Sequence, residues 1–325
     1  MKKKVTILIP CYNEQESLPH LYEELCKLMD ECSQYDWELL FINDGSKDNT
    51  LGVLDYLYQS DNRVAYIDLS RNFGKENAML AGFDMATGDA MVIMDADLQH
   101  PPHTVVEMLK YWEEGYDDVY AKRRDRNYES WPKRKISNLF YYILDKSTRY
   151  DVLRNVGDFR LLDRKCINAL KTLRESERYT KGLFCWIGFR KKEILFDVAE
   201  RQYGKSSWNL GALIHLAIEG MTSFTTAPLK IGVIVGLVVA LLAILYMLWV
   251  FINALLWGDP VAGYPTIMTV MLFLGAVQLI CTGILGEYIG KIYNETKSRP
   301  TYLMRTHKTH NSNQNSDPDS NLNSN

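Results

Sequence analysis

The sequence predicts an α/β fold with a mainly parallel sheet flanked by helices, followed by two C-terminal transmembrane helices. Three observations lead to this prediction. Short runs rich in Val and Ile alternate with helical patterns in the first part of the chain, an order typical of βαβ units and a parallel sheet. Each of these apolar runs ends in a polar motif. Two long segments without charged residues follow, and a polar tail closes the chain.

The predicted soluble domain, residues 1–208, alternates strands and helices. Its strands are the apolar runs Val5–Pro10, Glu38–Asn43, Val64–Leu69 and Ala90–Met94. Its helices are the periodic segments Ser17–Met29, Asp48–Tyr58 and Lys75–Ala86. Strands joined through helices run parallel, so their carboxyl ends meet at one edge of the sheet, where ligands bind in such folds.

Polar motifs follow all four predicted strands. They are PCYNE at 10–14, NDGS at 43–46, SRNFGK at 70–75 and DAD at 95–97. Any one of them is consistent with a turn, because Asn, Asp, Gly and Ser cap helices and fill turns. Four polar motifs at the same edge of a sheet indicate a ligand-binding site.

The acidic pair Asp95 and Asp97 predicts a metal site. Residues i and i+2 of an extended chain point to the same side, so both carboxylates face one point. Two like charges this close require a compensating cation or water. Mg²⁺ or Mn²⁺ suits such oxygen ligands, and phosphate oxygens complete the coordination shell. A chain with 40 acidic residues produces this spacing by chance, so the interpretation depends on its position at the end of a buried strand.

Composition argues against several other classes of protein. The formal net charge of -3 gives no reason to expect a nucleic acid partner. The six cysteines are scattered, with no Cys-x-x-Cys pair, which is typical of reduced thiols rather than of a disulfide framework or a zinc site. The start, MKKKVTILIPCYNE, has a short apolar run and no small-residue cleavage site, so we interpret it as a buried strand and not a signal peptide.

Two membrane spans are predicted, at residues 230–258 and 264–290. Each exceeds the roughly 20 residues that a helix needs to cross the hydrocarbon core. Aromatic residues fall near the expected interfaces, at Trp249, Trp257, Tyr264 and Tyr288. Lys230 and Lys291 flank the outer ends, whereas the short connection carries only Asp259. The positive-inside rule therefore predicts a multi-pass protein with its catalytic domain and both termini in the cytoplasm.

The segments beside the spans have patterns of their own. Residues 209–229 carry apolar side chains at i, i+3, i+4 and i+7 spacing, which predicts an amphipathic juxtamembrane helix. We favour a helix at the membrane interface over one packed on the soluble domain. The cytoplasmic tail, residues 291–325, ends in an Asn- and Ser-rich stretch, and we expect disorder after about residue 305.

The motifs and their order resemble those of the inverting family 2 glycosyltransferases, whose nucleotide-sugar domain has the GT-A fold. More narrowly, the chain resembles the polyprenyl-phosphate subgroup, which includes dolichol-phosphate mannose synthase-like and bactoprenol glucosyltransferase-like enzymes. The matching stretches are PCYNE at 10–14, NDGS at 43–46, LSRNFGKE at 69–76, DADLQHPP at 95–102, GDFRLLDR at 157–164 and RQYGKSSW at 201–208. With the two spans, the resemblance covers nearly everything from Val5 to about Arg305.

The resemblance implies roles for individual positions. It implies nucleotide-sugar binding by Pro10, Tyr12, Glu14, Asp44, Lys75, Asp95, Gln99, Lys205 and Ser206. It implies metal binding by Asp95 and Asp97, and catalytic roles for Asp97, Asp158 and Arg201, with Asp158 as the base. Basic residues that would receive the lipid phosphate are Arg123 and Arg134, with Lys122, Arg124 and Lys133 as alternatives.

Several of these residues also have a structural alternative. Asp44 could cap the helix that follows it, and Asp158 could be a surface residue before a strand. Arg201 and Lys205 could be solvated charges. His100 is predicted to be a turn residue rather than a ligand.

The function implied is the transfer of a sugar from a nucleoside diphosphate, UDP being favoured, to undecaprenyl or another polyprenyl phosphate with inversion. A bacterial-type inner membrane and cell-envelope glycan modification fit this activity. One alternative is a glycosyltransferase that acts on a polysaccharide or a lipid head group. Another is a catalytically inactive, membrane-anchored nucleotide-binding scaffold, against which the intact acidic residues argue. The sequence leaves open the sugar, the downstream pathway and the oligomeric state, including a homo-oligomer.

Overall fold

The computed structural model describes residues 2–124, 156–176, 178–196 and 263–310, together with single helical positions between 236 and 256. The described residues form two compact units. The first unit takes the residues up to 196 together with 299–310. The second unit takes the single positions and 263–298.

The first unit contains eight strands and six helices within the described residues. The strands are β1 Lys4–Cys11, β2 Asp36–Asn43, β3 Val64–Leu69, β4 Ala90–Ile93, β5 Asp118–Arg123, β6 Val156–Asp163, β7 Lys191–Phe196 and β8 Met304–Lys308. The helices are α1 Ser17–Glu31, α2 Thr50–Ser60, α3 Lys75–Met85, α4 His103–Glu113, α5 Arg164–Thr172 and α6 Thr180–Trp186. The four strands and three helices predicted between residues 5 and 94 are confirmed, with boundaries that differ by at most two residues.

The strands form one mixed sheet in the order β7-β5-β6-β4-β1-β2-β3-β8. β4, β1, β2 and β3 are parallel, as predicted, and β5 and β7 run in the same direction. β6 and β8 run in the opposite direction. The mainly parallel α/β fold is therefore confirmed, with two antiparallel strands that the sequence pattern did not predict.

Helices cover both faces of this sheet. Successive side chains of a strand point to opposite faces, and the strands carry apolar side chains on both. In β1, Ile7 and Ile9 are fully buried in a cluster that includes the apolar sides of α1, α2 and α4. Leu8 points to the other face, where it meets α3. A Cβ added at Gly82 of α3 would lie 2.1 Å from Leu8 Cδ1, so the glycine allows this helix to pack close to the sheet.

A buried ion pair anchors β6 between β4 and β5. Arg160 and Asp118 are 1% and 0% exposed, and Arg160 Nη1 lies 3.2 and 3.0 Å from the two carboxylate oxygens of Asp118. The guanidinium also lies 3.8 Å from the ring centroid of Phe184 in α6. Pairing and stacking together compensate for the removal of this charge from water.

The last strand, β8, adds to the sheet edge that β3 would otherwise leave open. It pairs antiparallel to β3, with Leu69 opposite Met304, and the ring of His310 then stacks on Tyr58 at 4.0 Å between centroids. Our expectation of disorder after about residue 305 is therefore wrong for residues 306–310. The tail has a polar composition, which led to the expectation of disorder. The backbone groups that β3 leaves unpaired at the sheet edge form hydrogen bonds with this segment, and composition does not reveal such bonds.

The second unit contains a long apolar helix, α7, at Tyr264–Thr296. Its residues 273–296 are long and apolar enough to cross a membrane, with a mean hydropathy of 1.4. The helix continues past the predicted end at residue 290, so the tail predicted from residue 291 begins with helix. The predicted juxtamembrane helix, 209–229, lies outside the described residues, as does the predicted span 230–258 except for its single helical positions.

The buried pair gives a stability prediction. Arg160→Met should lower the free energy of unfolding by about 3–5 kcal/mol, because it leaves Asp118 as an unpaired buried charge. Urea unfolding followed by tryptophan fluorescence in detergent measures this. The control is Lys165→Met, which removes only an exposed ion pair with Asp117 and should change the value by less than about 1 kcal/mol. Equal effects of the two substitutions would contradict a stabilising role for the buried pair.

Candidate active site

The strand ends define one polar edge of the sheet, which we call the polar rim. It comprises the carboxyl ends of β1 to β5 and of β7, together with the amino ends of the two antiparallel strands β6 and β8. A cavity of about 700 Å³ opens here, a size typical of small-molecule sites. Its lining residues are Pro10, Cys11, Tyr12, Asn13, Glu14, Gln15, Glu16, Ser17, Asp44, Asp48, Asn72, Gly74, Lys75, Asp95, Ala96 and Asp97.

Hydrogen bonds join the loops that follow β1 and β2. Asn13 has a φ of 58°, in the left-handed region that Asn tolerates better than most residues. Its N–H donates to Ser46 Oγ at 3.0 Å, and its Oδ1 accepts from the N–H of Lys47 at 2.8 Å. The neighbouring Tyr12 lines the cavity and is 42% exposed. It therefore offers an accessible aromatic face to a planar ligand.

Asp44 joins the loop after β2 to the loop after β3. Its carboxylate is buried and accepts from the N–H groups of Phe73 and Gly74 at 2.7 and 2.9 Å. Burial raises the pKa of Asp44, and the two N–H groups oppose that rise. The loops approach so closely that a Cβ at Gly45 would lie 2.4 Å from the carbonyl carbon of Arg71. Asp44 accepts from the loop after β3 and not from α2, whose first N–H donates to Asp48, so the helix-cap alternative is wrong.

Lys75 joins two carboxylates that come from strands of opposite direction. Its Nζ lies 2.6 Å from Asp95 Oδ1, at the end of β4, and 2.7 Å from Asp158 Oδ2, near the start of β6. Lys75 is the first residue of α3 and directly follows Gly74, whose φ of 90° favours glycine. The antiparallel direction of β6 places Asp158 at the polar rim, so the alternative of a surface residue before the strand is wrong.

The cluster keeps Asp158 charged. Burial opposes its ionisation, but Lys75 and, at longer range, Lys181 and Arg160 outweigh that effect and lower the pKa of Asp158 to about 2. The pKa of Lys75 is raised, because its attraction to Asp95 and Asp158 outweighs the burial that opposes its charge. At neutral pH the cluster is therefore an ammonium group between two carboxylates.

A buried histidine fixes the turn that carries Asp95. The Nδ1 atom of His100 accepts from the N–H of Asp95 at 3.1 Å, and its ring stacks on Phe159 at 4.6 Å between centroids. Burial lowers the pKa of His100, which favours the neutral ring that this hydrogen bond requires. Within the same turn Leu98 has a φ of 61°. His100 thus lies in a turn, as predicted, and supports it from the core.

Asp95 and Asp97 have the donor chemistry of a site for a hard divalent cation. Both line the cavity, and Mg²⁺ commonly binds one or two carboxylates and completes its shell with water and phosphate oxygens. Among the described residues, no group of three or more His, Cys, Asp and Glu side chains is placed to hold a metal ion by itself. In that same part of the chain Asp158 Oδ1 is buried without a hydrogen-bond partner. The two carboxylates therefore fit a cation whose remaining ligands are oxygens of a bound phosphate.

Comparisons with known proteins agree with this geometry. Residues 6–170, about half of the chain, match the description Glycosyl transferase family 2. The chain belongs to glycosyl transferase family 2. Residues 227–292 of this glycosyltransferase match the description GtrB C-terminal hairpin. Together with the apolar helix α7, that match indicates association with a membrane.

Relatives of this glycosyltransferase align along nearly its full length. An uncharacterized glycosyltransferase of Synechocystis sp., sll0501, is 43% identical and covers 94% of this chain and 95% of its own. The bactoprenol glucosyl transferase of Shigella phage SfX is 42% identical and covers 94% and 100%. A prophage bactoprenol glucosyl transferase homolog of Escherichia coli K12 is 40% identical and covers 93% and 98%.

The structure brings most of the predicted site residues of this glycosyltransferase together. Those that line the cavity are Pro10, Tyr12, Glu14, Asp44, Lys75, Asp95 and Asp97. Asp158 reaches them through Lys75. Two others lie at the rim without lining the cavity: Gln99, whose N–H donates to Asp97 Oδ1, and the exposed Arg123. Arg134, Arg201, Lys205 and Ser206 lie outside the described residues.

Some lining residues were not predicted. Cys11, Asn13 and Asn72 belong to the polar motifs but were not assigned a role, and Asp48 follows one of them. The signal that could have found Asn13 is its place between Tyr12 and Glu14. Its hydrogen bonds to the neighbouring loop depend on how the two loops meet, which the motif alone does not contain.

The pKa of Asp158 gives a pH prediction for Lys75→Met. A folded pKa of about 2, below the unfolded value near 3.9, contributes roughly 2–3 kcal/mol of stability above about pH 5, and this is lost as the pH falls toward 2. The variant should therefore be less stable at pH 7 by at least that amount. The deficit should shrink between pH 7 and pH 4, because burial raises the pKa of the unpaired Asp158 and it takes up a proton.

Urea unfolding at several pH values measures the difference between the two proteins. Lys27→Met, which loses only an exposed pair with Glu24, is the control and should show a small, pH-independent change. A deficit in Lys75→Met that stays constant from pH 7 to pH 4 would show that Lys75 does not hold the charge of Asp158.

Proposed function

We propose that this chain transfers a sugar from a nucleoside diphosphate, with UDP favoured, to a polyprenyl phosphate and inverts the anomeric centre. The observation that carries the proposal is the ion-paired cluster of Lys75, Asp95 and Asp158 at the wall of a cavity. Similarity along 94% of the chain to a bactoprenol glucosyl transferase supports a polyprenyl carrier and makes glucose the first sugar to test.

The nucleotide part of the donor occupies the cavity between the loops after β1 and β2. Its base stacks on the exposed face of Tyr12. Glu14 and Asp44 offer carboxylate oxygens to the ribose hydroxyls, because an ionised carboxylate acts only as an acceptor and suits a hydroxyl donor. The cavity volume of about 700 Å³ supports a ligand of this size.

The diphosphate lies against the carboxylates at the end of β4. Asp95 and Asp97 would hold Mg²⁺ or Mn²⁺ there, and that cation would supply positive charge to stabilise the departing diphosphate. Lys75 adds a second positive charge on that side, at 2.6 Å from Asp95 Oδ1. Lys75 therefore has two roles: it attracts the leaving diphosphate and it pairs with Asp158.

Asp158 acts mainly through its charge and position. The acceptor phosphate has a second pKa near 6, so near pH 7 it is largely a dianion and hardly needs a base. Asp158 is ionised and held by Lys75 at 2.7 Å. We assign it to orienting the acceptor and stabilising the positive charge that develops on the sugar, with proton removal as an auxiliary role at lower pH.

The acceptor phosphate requires positive charge of its own. Like unit charges 4 Å apart repel by about 4 kcal/mol at an effective dielectric constant near 20. Arg123 is exposed at the end of β5 and can bind phosphate in a bidentate manner. Arg123 and Arg134 are the proposed phosphate ligands. Lys122 is the weaker candidate because it pairs with Glu193 at 3.1 Å.

The membrane holds the acceptor, and we propose that two spans, 230–258 and 264–290, hold the enzyme there. The hairpin match at residues 227–292 and the apolar helix α7 support this arrangement. The basic residues at the outer ends of the spans support a catalytic domain and termini on the cytoplasmic side of an inner membrane.

A direct assay tests the proposed activity. The purified protein, given Mg²⁺, undecaprenyl phosphate and a panel of labelled UDP- and GDP-sugars, should produce an acid-labile glycolipid from one donor. Chelator should abolish the product, and Asp95→Asn with Asp97→Asn should lower kcat by about 10²-fold or more, because charge stabilisation of the leaving group is lost. Asp30→Asn, exposed near the end of α1, is the control and should retain activity.

Two results would reject the proposal. Full activity with chelator present, or in the double variant, would show that no cation is held at Asp95 and Asp97. Binding of UDP-sugars without any product from any donor would instead favour the scaffold alternative.

A second assay separates the roles of Asp158. Asp158→Asn should retain a larger fraction of wild-type activity at pH 8 than at pH 6, because the acceptor phosphate is already a dianion at pH 8. Initial rates with saturating donor and lipid phosphate measure this. An equal loss at both pH values would show that Asp158 acts by charge and orientation alone and takes no proton.

A further inference from the structure

We propose that Arg305 of β8 is a positioning residue for donor binding. It acts through Asp68 and Asn43 on the loop that receives the nucleotide, so the strand that follows the apolar helix in sequence also shapes the donor cavity. The inference rests on the proposed function, because it assumes that a nucleotide occupies the cavity.

The first step is the contact between Arg305 and the end of β3. Arg305 Nη1 lies 3.0 Å from Asp68 Oδ2, and Nη2 donates to the carbonyl oxygen of Ser70 at 2.9 Å. The Asp68 side chain is 2% exposed, whereas that of Arg305 is 59% exposed. A buried carboxylate therefore depends on a cation supplied from the surface by another strand.

The second step leads from Asp68 to the donor loops. Asn43 Nδ2 donates to Asp68 Oδ1 at 2.7 Å, and Asn43 Oδ1 accepts from the N–H of Ser46 at 3.3 Å. Ser46 Oγ in turn accepts from the N–H of Asn13, which lies beside the cavity residue Tyr12. Four successive contacts thus connect Arg305 to the loop after β1.

Backbone contacts reinforce this connection from the other side. The N–H of Ser70 donates to the carbonyl oxygen of Leu303 at 2.9 Å, so the residue before β8 also holds the start of the loop after β3. That loop donates the N–H groups of Phe73 and Gly74 to Asp44. The segment that contains β8 therefore contacts the start of the loop after β3 directly, and it reaches the loop after β2 through Asp68 and Asn43.

The charges explain why Arg305 should matter for binding. In the structure both oxygens of Asp68 have a partner, Arg305 on one and Asn43 on the other. Without Arg305 the buried carboxylate loses its counter-charge, and an unpaired buried charge is unfavourable unless the side chain turns toward water or another donor. Such a rearrangement alters the hydrogen bond to Asn43 and loosens the loop that contains Ser46.

A purely structural role of β8 predicts a different result. A strand that only covers the edge of β3 stabilises the fold through its backbone hydrogen bonds, and a substitution there would change the melting temperature without changing nucleotide affinity. Lys308 provides the matched control. It lies on the same strand and pairs with Asp55 and the ring of Tyr66, away from the cavity loops.

The experiment measures UDP binding, with GDP in parallel, by calorimetry on the full-length protein with Mn²⁺ present. Arg305→Gln should raise the Kd for the nucleotide and the KM for the donor sugar at least fivefold, with kcat within twofold of wild type. Lys308→Gln should leave all three within twofold. Arg305→Lys keeps the positive charge but cannot contact Asp68 and Ser70 with two separate nitrogens, so it should give an intermediate Kd. This variant provides the test if Arg305→Gln does not fold.

A double variant tests the route through Asp68. On an Asp68→Asn background, which removes the buried charge, Arg305→Gln should change the Kd less than twofold, because the two residues act as a unit. Equal nucleotide affinity in wild type and Arg305→Gln would overturn the positioning role while leaving the proposed function intact. A wild-type protein that binds neither UDP nor GDP would reject the proposed function, and this inference with it.

Discussion

The candidate active site depends on one ammonium group between two carboxylates. Lys75 contacts Asp95 at the end of a parallel strand and Asp158 near the start of an antiparallel one. Without this cation, two negative groups would share a partly buried wall and repel each other. The same contact keeps Asp158 ionised at neutral pH. Donor binding, leaving-group stabilisation and acceptor orientation in the proposed reaction all start from this arrangement of charge.

The topology of the sheet makes that arrangement possible. The parallel strands bring their carboxyl ends to the polar rim, but a site made only of those ends would lack Asp158. β6 lies between β4 and β5 in the opposite direction, so its amino end reaches the same rim. The buried pair of Arg160 and Asp118 holds β6 in this position. This buried ion pair therefore stabilises the fold and also helps to keep Asp158 at the polar rim.

A second antiparallel strand, β8, also brings a charged residue to a buried partner, here at the end of the sheet beside β3. The chain passes through an apolar helix and then returns to the catalytic unit as β8. There it covers the edge of β3 and provides Arg305 to a buried carboxylate. The apolar helix and the strand that we propose supports donor binding are thus adjacent segments of the chain, and the proposed route from that strand to the cavity runs through Asp68 and Asn43.

The sequence by itself determined the strands and helices up to residue 94, the mainly parallel sheet and the placing of Asp95 and Asp97 at the end of a buried strand. These follow from periodicity and from residues close together in the chain. Only the tertiary structure decided that Lys75 pairs with Asp158, that His100 supports Asp95 from the core, and that residues 304–308 form an edge strand. Each of these contacts depends on the order and direction of strands far apart in sequence, and local patterns do not encode either property.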